Sequence, residues 1–287
     1  MLAGSEPAPV LVAKTVTSPA DTESRAQSIG HVVRFAHAKA LLARVLCHPL
    51  VGTILGQVYG NHIPSRGCLI DTGGAMSPIV NAYLFWGLYE SAEIRFVQHY
   101  LRQDLDVLEL GSSLGVVACH IARRLDKGRR LVCVEANGEL LGLIKTNLDR
   151  NVSGTTPTIL HGAIDYSVPV GTAVRLALGD TNLTSVTAHN SEMPETTVIA
   201  PAITLGAALR QQSIDDYALV ADIEGAEAGM LLREKEALTR CRQMIIELHR
   251  TWFNGQVFCA TDLADVIMRR HGFAMQAVHG PVYVFEK

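Results

Sequence analysis

The sequence predicts an α/β fold: an open, mostly parallel sheet that ends in an antiparallel hairpin, behind a helical extension at the amino terminus. Three observations carry this expectation. From residue 104 onward, short apolar runs alternate with amphipathic stretches across short joints, the pattern of a parallel sheet covered on both faces. The runs VLEL, LVCVE, LVAD and MIIEL lack polar alternation, as strands buried on both faces require. The last two runs, FAMQAV and VYVFE, are joined only through His279-Gly280-Pro281. A parallel return needs about a dozen residues, so this pair is antiparallel.

In chain order, residues 1–28 are rich in Ser, Thr, Ala and Pro without an aromatic residue, and they read as a disordered tail. Residues 29–103 read as a helical and loop extension. Its first helix, Ile29 to Leu46, carries Arg34, His37, Lys39 and Arg44 among Ala and Leu. Neither face is cleanly basic, so packing on the main domain is expected, with a peripheral membrane contact as the alternative. Pro49, Gly52, Gly56, Gly60, Pro64, Gly67, Gly73, Gly74 and Pro78 then suggest loops and short pieces. Tyr89, Ala92, Phe96, Val97, Tyr100 and Leu101 predict a helix with Glu90, Glu93, Arg95 and Gln98 on its polar side. The domain at 104–287 follows: strand 105–110, a glycine turn, helix 114–125, strand 130–135, helix 138–150 and strand 156–160. Its second half gives strand 217–222, helix 226–238, strand 243–248, a helix through Leu263, Val266 and Ile267, and the hairpin.

Composition limits the class. At ~150 residues per domain the 287 residues suggest about two domains, but the periodicity assigns a single α/β domain and leaves a head not expected to fold alone. Net charge is −3, without the basic field of a nucleic-acid binder, so no nucleic-acid partner is expected. Charged residues make up 18% and mean hydropathy is +0.20, which raises the membrane question. A transmembrane helix needs ~20 consecutive apolar residues; the best candidate, Leu41 to Val58, contains Arg44, His48, Pro49 and Gln57. The first residues, MLAGSEPAPVLVAK, lack a basic start and a long apolar run, so no secretory signal is expected. Cys47, Cys68, Cys119, Cys133, Cys241 and Cys259 form no CxxC pair and read as buried, reduced thiols of a cytoplasmic protein.

The candidate site lies at the strand ends. Glu109-Leu-Gly111-Ser112-Ser-Leu-Gly115 turns the first strand into a helix: Gly111 lets backbone approach closely, Gly115 lets the helix pack on the strand, and the helix start offers free N–H groups. Glu135 ends the second strand, where a carboxylate faces ribose hydroxyls and accepts two hydrogen bonds. The GxGxxG spacing of a pyrophosphate site is absent, which disfavours a nicotinamide-dependent oxidoreductase. Asp222-Ile-Glu224-Gly-Ala-Glu227 ends the fourth strand, and Glu247 and His249 end the fifth. If those strands are neighbours, Asp222, Glu224 and His249 converge on one pocket, and clustered carboxylates there point to chemistry.

An open parallel sheet finished by an antiparallel strand is the architecture of class I S-adenosylmethionine-dependent methyltransferases. The segments ELGSSLG, VEANGELLGLIKTNLDRN, ITLGAALRQQ, ALVADIEGAE and MIIELH resemble the FkbM family within that class, over roughly residues 88–249. The resemblance implies S-adenosyl-L-methionine as cofactor and methyl transfer to a hydroxyl of a sugar, glycan or polyketide-type small molecule. It places the cofactor on Glu109, Gly111, Ser112, Gly115, Glu135 and Asn137, with Gly162 and Ala163 near the adenine. The chain departs from the family pattern in having two serines where DVGANIG is common, Val134-Glu-Ala-Asn137 where FEPN is common, and Val220 where a lysine is common. Trp86 to Glu93 resembles a segment that closes over the pocket.

Asp222, His249 and Glu224 are the catalytic candidates. A hydroxyl acceptor needs its proton removed; His249, with an intrinsic pKa of ~6.5, is the better base and Asp222 the rival. A Mg²⁺ ion on Asp222 and Glu224 is a further alternative, although no dedicated metal motif is present and no metal is expected. A non-catalytic binding module that kept the fold is the other rival. Acceptor specificity is expected in residues 30–100 and 165–201, with Asn182, Thr184 and Ser185 as polar candidates.

Overall fold

Helix α1 (Pro49–Tyr59) starts on the side chain of His48, whose Nδ1 accepts the Leu50 N–H, and ends on Gly60 in the left-handed conformation. The computed structural model describes residues 45–74, 76–153, 157–178, 185–187 and 197–287. The expectations for the tail and, up to residue 44, for the helix from Ile29 fall outside the described residues, as do Asn182, Thr184 and the side chain of Ser185. The chain divides into Met1–Leu46 and Cys47–Lys287, and the second unit is the one built up below.

The loops and short pieces expected between Pro49 and Pro78 are a full helix, α1, and a hairpin of two short strands, β1 (His62–Ser65) and β2 (Cys68–Asp71), with α2 (Pro78–Phe85) following. The glycines mislead for a physical reason. Gly52 and Gly56 are buried on α1, and a Cβ on Gly52 would lie 1.7 Å from the Pro78 carbonyl oxygen. Gly52 is small because two backbones cross there, and Gly56 because the Asn81 side chain packs against it. Arg66 and Gly67, both at positive φ, make the two-residue turn that joins β1 to β2. Helix α3 (Ser91–Tyr100) is present but rotated from the expected face: Glu93, Ile94, Phe96 and Val97 are buried, whereas Tyr100 is exposed.

The central sheet follows from runs that are apolar on both faces. It comprises β3 (Asp106–Leu110), β4 (Leu131–Glu135), β5 (Thr158–His161), β10 (Tyr217–Ala221), β11 (Cys241–Glu247), β14 (Ala274–His279) and β15 (Val282–Glu286). Between them come α4 (Val116–Arg124), α5 (Leu141–Asn151), α6 (Leu205–Gln212), α7 (Glu227–Arg233), α8 (Lys235–Arg240) and α9 (Ala260–His271). The strand order is β14-β15-β11-β10-β3-β4-β5. The pairs from β11 through β10, β3 and β4 to β5 are parallel. β15 runs antiparallel to both neighbours, as the short hairpin requires.

Alternate residues divide between two cores. Leu108, Leu110, Leu219 and Ile246 pack with α6, α7 and α9; Val107, Val220 and Ile245 pack with α3, α4 and the β1–β2 hairpin. Asn147, fully buried on α5, anchors that hairpin. Its Oδ1 accepts the Asp71 N–H at 2.6 Å, and its Nδ2 donates to the carbonyls of Asp71 (3.0 Å) and Leu114 (2.9 Å).

Two further differences concern the second half. The helix expected over 226–238 breaks at Glu234, which leaves helical geometry at φ −103° and ψ 44° between α7 and α8. The region after β5 holds more strand than expected: β6 (Ala163–Ile164), β7 (Ala173–Leu178), β8 (Ser185–Thr187) and β9 (Thr197–Ile203) form a second sheet in the order β6-β9-β7-β8. A small hairpin, β12 (Thr251–Phe253) and β13 (Gln256–Phe258), follows His249.

Candidate active site

Strand order reverses between β3 and β10: one half of the sheet grows from β3 through β4 to β5, the other from β10 through β11. Ligands of open α/β sheets bind at such a switch point, beyond the carboxyl ends of the strands. Here Asp222 donates its N–H to the Leu110 carbonyl, and a Cβ on Gly111 would sit 1.8 Å from the Asp222 carbonyl oxygen. Any side chain at 111 would therefore force the two strand ends apart.

A cavity of about 300 Å³ opens at this point, at the lower end of the ~300–1,000 Å³ typical of small-molecule sites. Of the expected cofactor residues, Gly111, Glu135 and Gly162 line it, together with Ser113, Ala136, Ile164 and Ile223. Gly162 too has no room for a side chain: its Cβ would come within 2.7 Å of Ile203. The carboxylate of Glu135 is aimed by backbone, since Oε2 accepts the Ser113 N–H and Oε1 the Asn137 N–H, both at 2.7 Å. Each oxygen keeps lone-pair capacity for a ligand hydroxyl. Burial raises the Glu135 pKa despite these bonds.

Glu109, Ser112, Gly115, Asn137 and Ala163 do not line the cavity, and they support it from behind. The Ser112 hydroxyl donates to Glu109 Oε2 at 2.6 Å, while burial pushes the Glu109 carboxyl up to about 7. Gly115 packs α4 against Ile144 of α5. Asn137 turns the chain by accepting the Glu139 N–H.

The extension supplies wall residues, two of them from the segment Trp86 to Glu93 that was expected over the pocket. Tyr83, Tyr89 and Glu90 line the cavity, and the Tyr89 hydroxyl pairs with Ser113 Oγ at 2.9 Å. Three non-glycine wall residues, Glu90, Ser113 and Glu224, hold positive φ between 44° and 49°. Such backbone costs about 1–3 kcal/mol per residue and clusters at functional sites.

β10 and β11 are neighbours, so Asp222, Glu224 and His249 do converge. Asp222 and Glu224 line the cavity. His249 Nδ1 hydrogen-bonds Glu227 Oε1 at 2.8 Å, and its Nε2 lies 3.2 Å from Glu247, 3.5 Å from Glu224 and 3.9 Å from Asp222. Burial alone would lower the His249 pKa, but hydrogen bonds to Glu227 and Glu247 and the surrounding charge push it up to about 11. Held protonated, this imidazole does not fit the expected role of general base. Burial, followed by the charges of Glu247 and Glu224, pushes Asp222 up to about 8. Glu93 of α3 joins the cluster and is pushed to about 8, first by burial and then by its hydrogen bond to Glu247. Asp222 Oδ1 and Glu227 Oε2 are buried without a hydrogen-bond partner.

Asp222, Glu224 and His249 each offer a ligand atom within 4.8 Å of the others, a set that fits a divalent cation. The cofactor implied by the fold fits as well. Glu135 ends the second strand with lone-pair capacity left on each oxygen, and an excess of carboxylates favours a cation such as a sulfonium.

A parallel sheet with an antiparallel strand inserted next to its edge, and a carboxylate facing a cleft from the second strand, defines a class I S-adenosylmethionine-dependent methyltransferase. The profile of the methyltransferase FkbM domain matches residues 113–275, more than half of the chain, and the chain belongs to that family. No individually curated protein matches the sequence. Similar solved structures include a precorrin-6y C5,15-methyltransferase from Geobacter metallireducens (16% identity, 68% of this chain and 86% of that one, TM-score 0.37). A magnesium protoporphyrin IX methyltransferase from Synechocystis with bound SAM is 10% identical (69% and 76%, TM-score 0.39). The fibrillarin of Aeropyrum pernix in complex with S-adenosyl-L-methionine is 12% identical (68% and 73%, TM-score 0.40). Among the described residues, no helix is long and apolar enough to cross a membrane.

Proposed function

We propose that this methyltransferase acts on oxygen, moving a methyl group to a hydroxyl of a glycan or polyketide-type acceptor. The observation that supports this most is Asp222, whose buried Oδ1 has no hydrogen-bond partner and stands at the wall of the cofactor cavity. S-adenosylmethionine, when bound, supplies an electrophilic methyl group on a sulfonium. Glu135 would take the ribose hydroxyls, Gly111 and Gly162 would admit the nucleoside against backbone, and Tyr89 and Glu90 would cover it.

The chain's own residues then have two tasks. The first is orientation: holding the acceptor oxygen in line is worth up to ~7–11 kcal/mol. The second is the proton. With its pKa near 8, ionised Asp222 is a stronger base than an ordinary carboxylate and takes the hydroxyl proton at Oδ1. His249 stays protonated and stabilises ionised Asp222 from 3.9 Å, while Glu227 fixes the ring from its other nitrogen. Asp222→Asn is expected to lower kcat by about 10²–10⁴-fold, the span of general-base catalysis, with S-adenosylhomocysteine affinity retained. The wild-type rate should rise with pH to a plateau above about 8. A variant that keeps both its rate and that rising limb overturns the assignment.

A second reading rests on the three-residue ligand set: a divalent cation there would polarise the acceptor oxygen directly. Loss of turnover in EDTA, restored by Mg²⁺ or Mn²⁺, selects the cation; turnover that persists selects Asp222. Calorimetry with S-adenosylhomocysteine and with NADH separates both from an oxidoreductase. Mass spectrometry of the glycans and secondary metabolites of a deletion strain, searching for products one CH₂ lighter, identifies the acceptor.

A further inference from the structure

A second, larger cavity of about 700 Å³ opens beside the first. The two share Ile164, Glu224 and Ala226 in their walls. His249 belongs to the second cavity and Asp222 to the first, so the acid–imidazole cluster stands at the junction. A group lying in the second cavity meets the first along the wall that Ile164, Glu224 and Ala226 share.

The outer wall of this groove is the β12–β13 hairpin. A two-stranded hairpin on its own is marginal in water, and this one is bolted down. The Thr251 hydroxyl donates to the Gly225 carbonyl at 2.7 Å. The Arg233 guanidinium lies 5.2 Å from the centre of the Phe253 ring, donates to the Tyr166 carbonyl at 2.7 Å and reaches Asn254 Oδ1 at 3.4 Å. Asn254 and Gly255, at φ 49° and 80°, form the tight turn. On this fixed support Trp252 lines the groove yet stays 63% exposed. A large aromatic ring left in water on an anchored hairpin is a surface prepared for contact.

Tyr166 and Phe253 add aromatic surface to the groove, and polar groups stand between these rings. Asp165, Ser167, Asn254 and Arg250 line it, and Arg250 has no carboxylate partner among the described residues. Aromatic surface interleaved with hydrogen-bonding groups matches a ring with an apolar face and a hydroxylated rim. We infer that this groove is the acceptor site and that it binds a hexopyranosyl unit, one face of the sugar stacked on Trp252 and one hydroxyl directed at the Asp222–His249 junction. The inference rests on the O-methyltransferase reading and adds to it a place and a substrate class. It also moves acceptor recognition away from residues 30–100 and most of 165–201, to a hairpin whose shortness gave no warning.

The test is calorimetry on the full chain saturated with S-adenosylhomocysteine, titrated with the methyl glycosides of glucose, galactose, mannose and rhamnose. At least one glycoside is expected to bind saturably. Trp252→Ala should weaken it by about 10-fold or more and Trp252→Phe by only a few-fold, because a smaller aromatic face keeps part of the stacking. S-adenosylhomocysteine affinity should stay within about 2-fold in both variants, because Trp252 does not line the cofactor cavity. Glycoside affinity that ignores Trp252, binding of catechol or single-stranded RNA in place of the glycosides, or no binding by any glycoside overturns the inference. Failure to bind S-adenosylhomocysteine would instead strike the methyltransferase reading beneath it.

Discussion

Glu135 shows how one side chain is prepared before any ligand arrives. Two backbone N–H groups fix its carboxylate at the end of β4. A hydrogen bond to a charged group is worth ~1.5–3 kcal/mol, so losing two ribose bonds in Glu135→Ala should weaken S-adenosylhomocysteine by at least about 100-fold. Calorimetry reads the loss, and an unchanged circular dichroism spectrum confirms that the fold survives. Glu109 is the contrasting case: it has the same residue type at the end of the neighbouring strand but does not reach the cavity. The sequence made both acids visible. It did not separate them, because burial behind Ser112 depends on the turn that follows. His249 was visible as well, but its protonation depends on Glu227 and Asp222 from the end of β10 meeting it beside Glu247 of its own strand. No local pattern encodes that count of neighbouring charges.

At the scale of elements, the parallel strands were legible because burial on both faces leaves an apolar run that nothing else explains. The terminal hairpin was legible because three residues cannot make a crossover. The amino-terminal helices were not, since glycines placed for close backbone crossing look identical in sequence to glycines placed for turns. Glu93 was read as solvated, and the rotation of α3 buries it against Glu247. The β12–β13 hairpin is too short for periodicity to register. Asn147 joins the extension to the sheet through three hydrogen bonds. Asn147→Ala leaves buried backbone groups unpaired at about 1–3 kcal/mol each. Urea unfolding should therefore show a loss of several kcal/mol, and a loss below about 1 kcal/mol would mean that water replaces the side chain.

Over the whole molecule, pH and stability are tied through the acidic cluster. His249 titrates near 11 in the fold, against ~6.5 in the unfolded chain. Its contribution is complete below about pH 6.5 and fades as pH rises toward 11. Asp222 and Glu93, both near 8 in the fold and ~4 when unfolded, hold protons that the unfolded chain has released. Their contribution is complete below about pH 4 and is lost by about 8. The two effects share a sign, so the melting temperature of the ligand-free protein should fall between pH 6 and 9. Glu93→Gln together with Asp222→Asn should flatten that slope, and differential scanning calorimetry across the range reads it directly.

The position of β15 has a consequence for the order of assembly. β14 touches the sheet only through β15, and β15 occupies the space between β14 and β11. Until Val282–Glu286 has emerged from the ribosome and inserted itself, β14 has no strand to pair with and β11 presents a bare apolar edge. Every nascent chain shorter than this therefore carries an open seam, a site for chaperones or for aggregation. A stop codon after Gly280 should give insoluble protein although it leaves every residue of the cofactor cavity in place. The half-made enzyme waits for a strand that is made after every residue of its cavity.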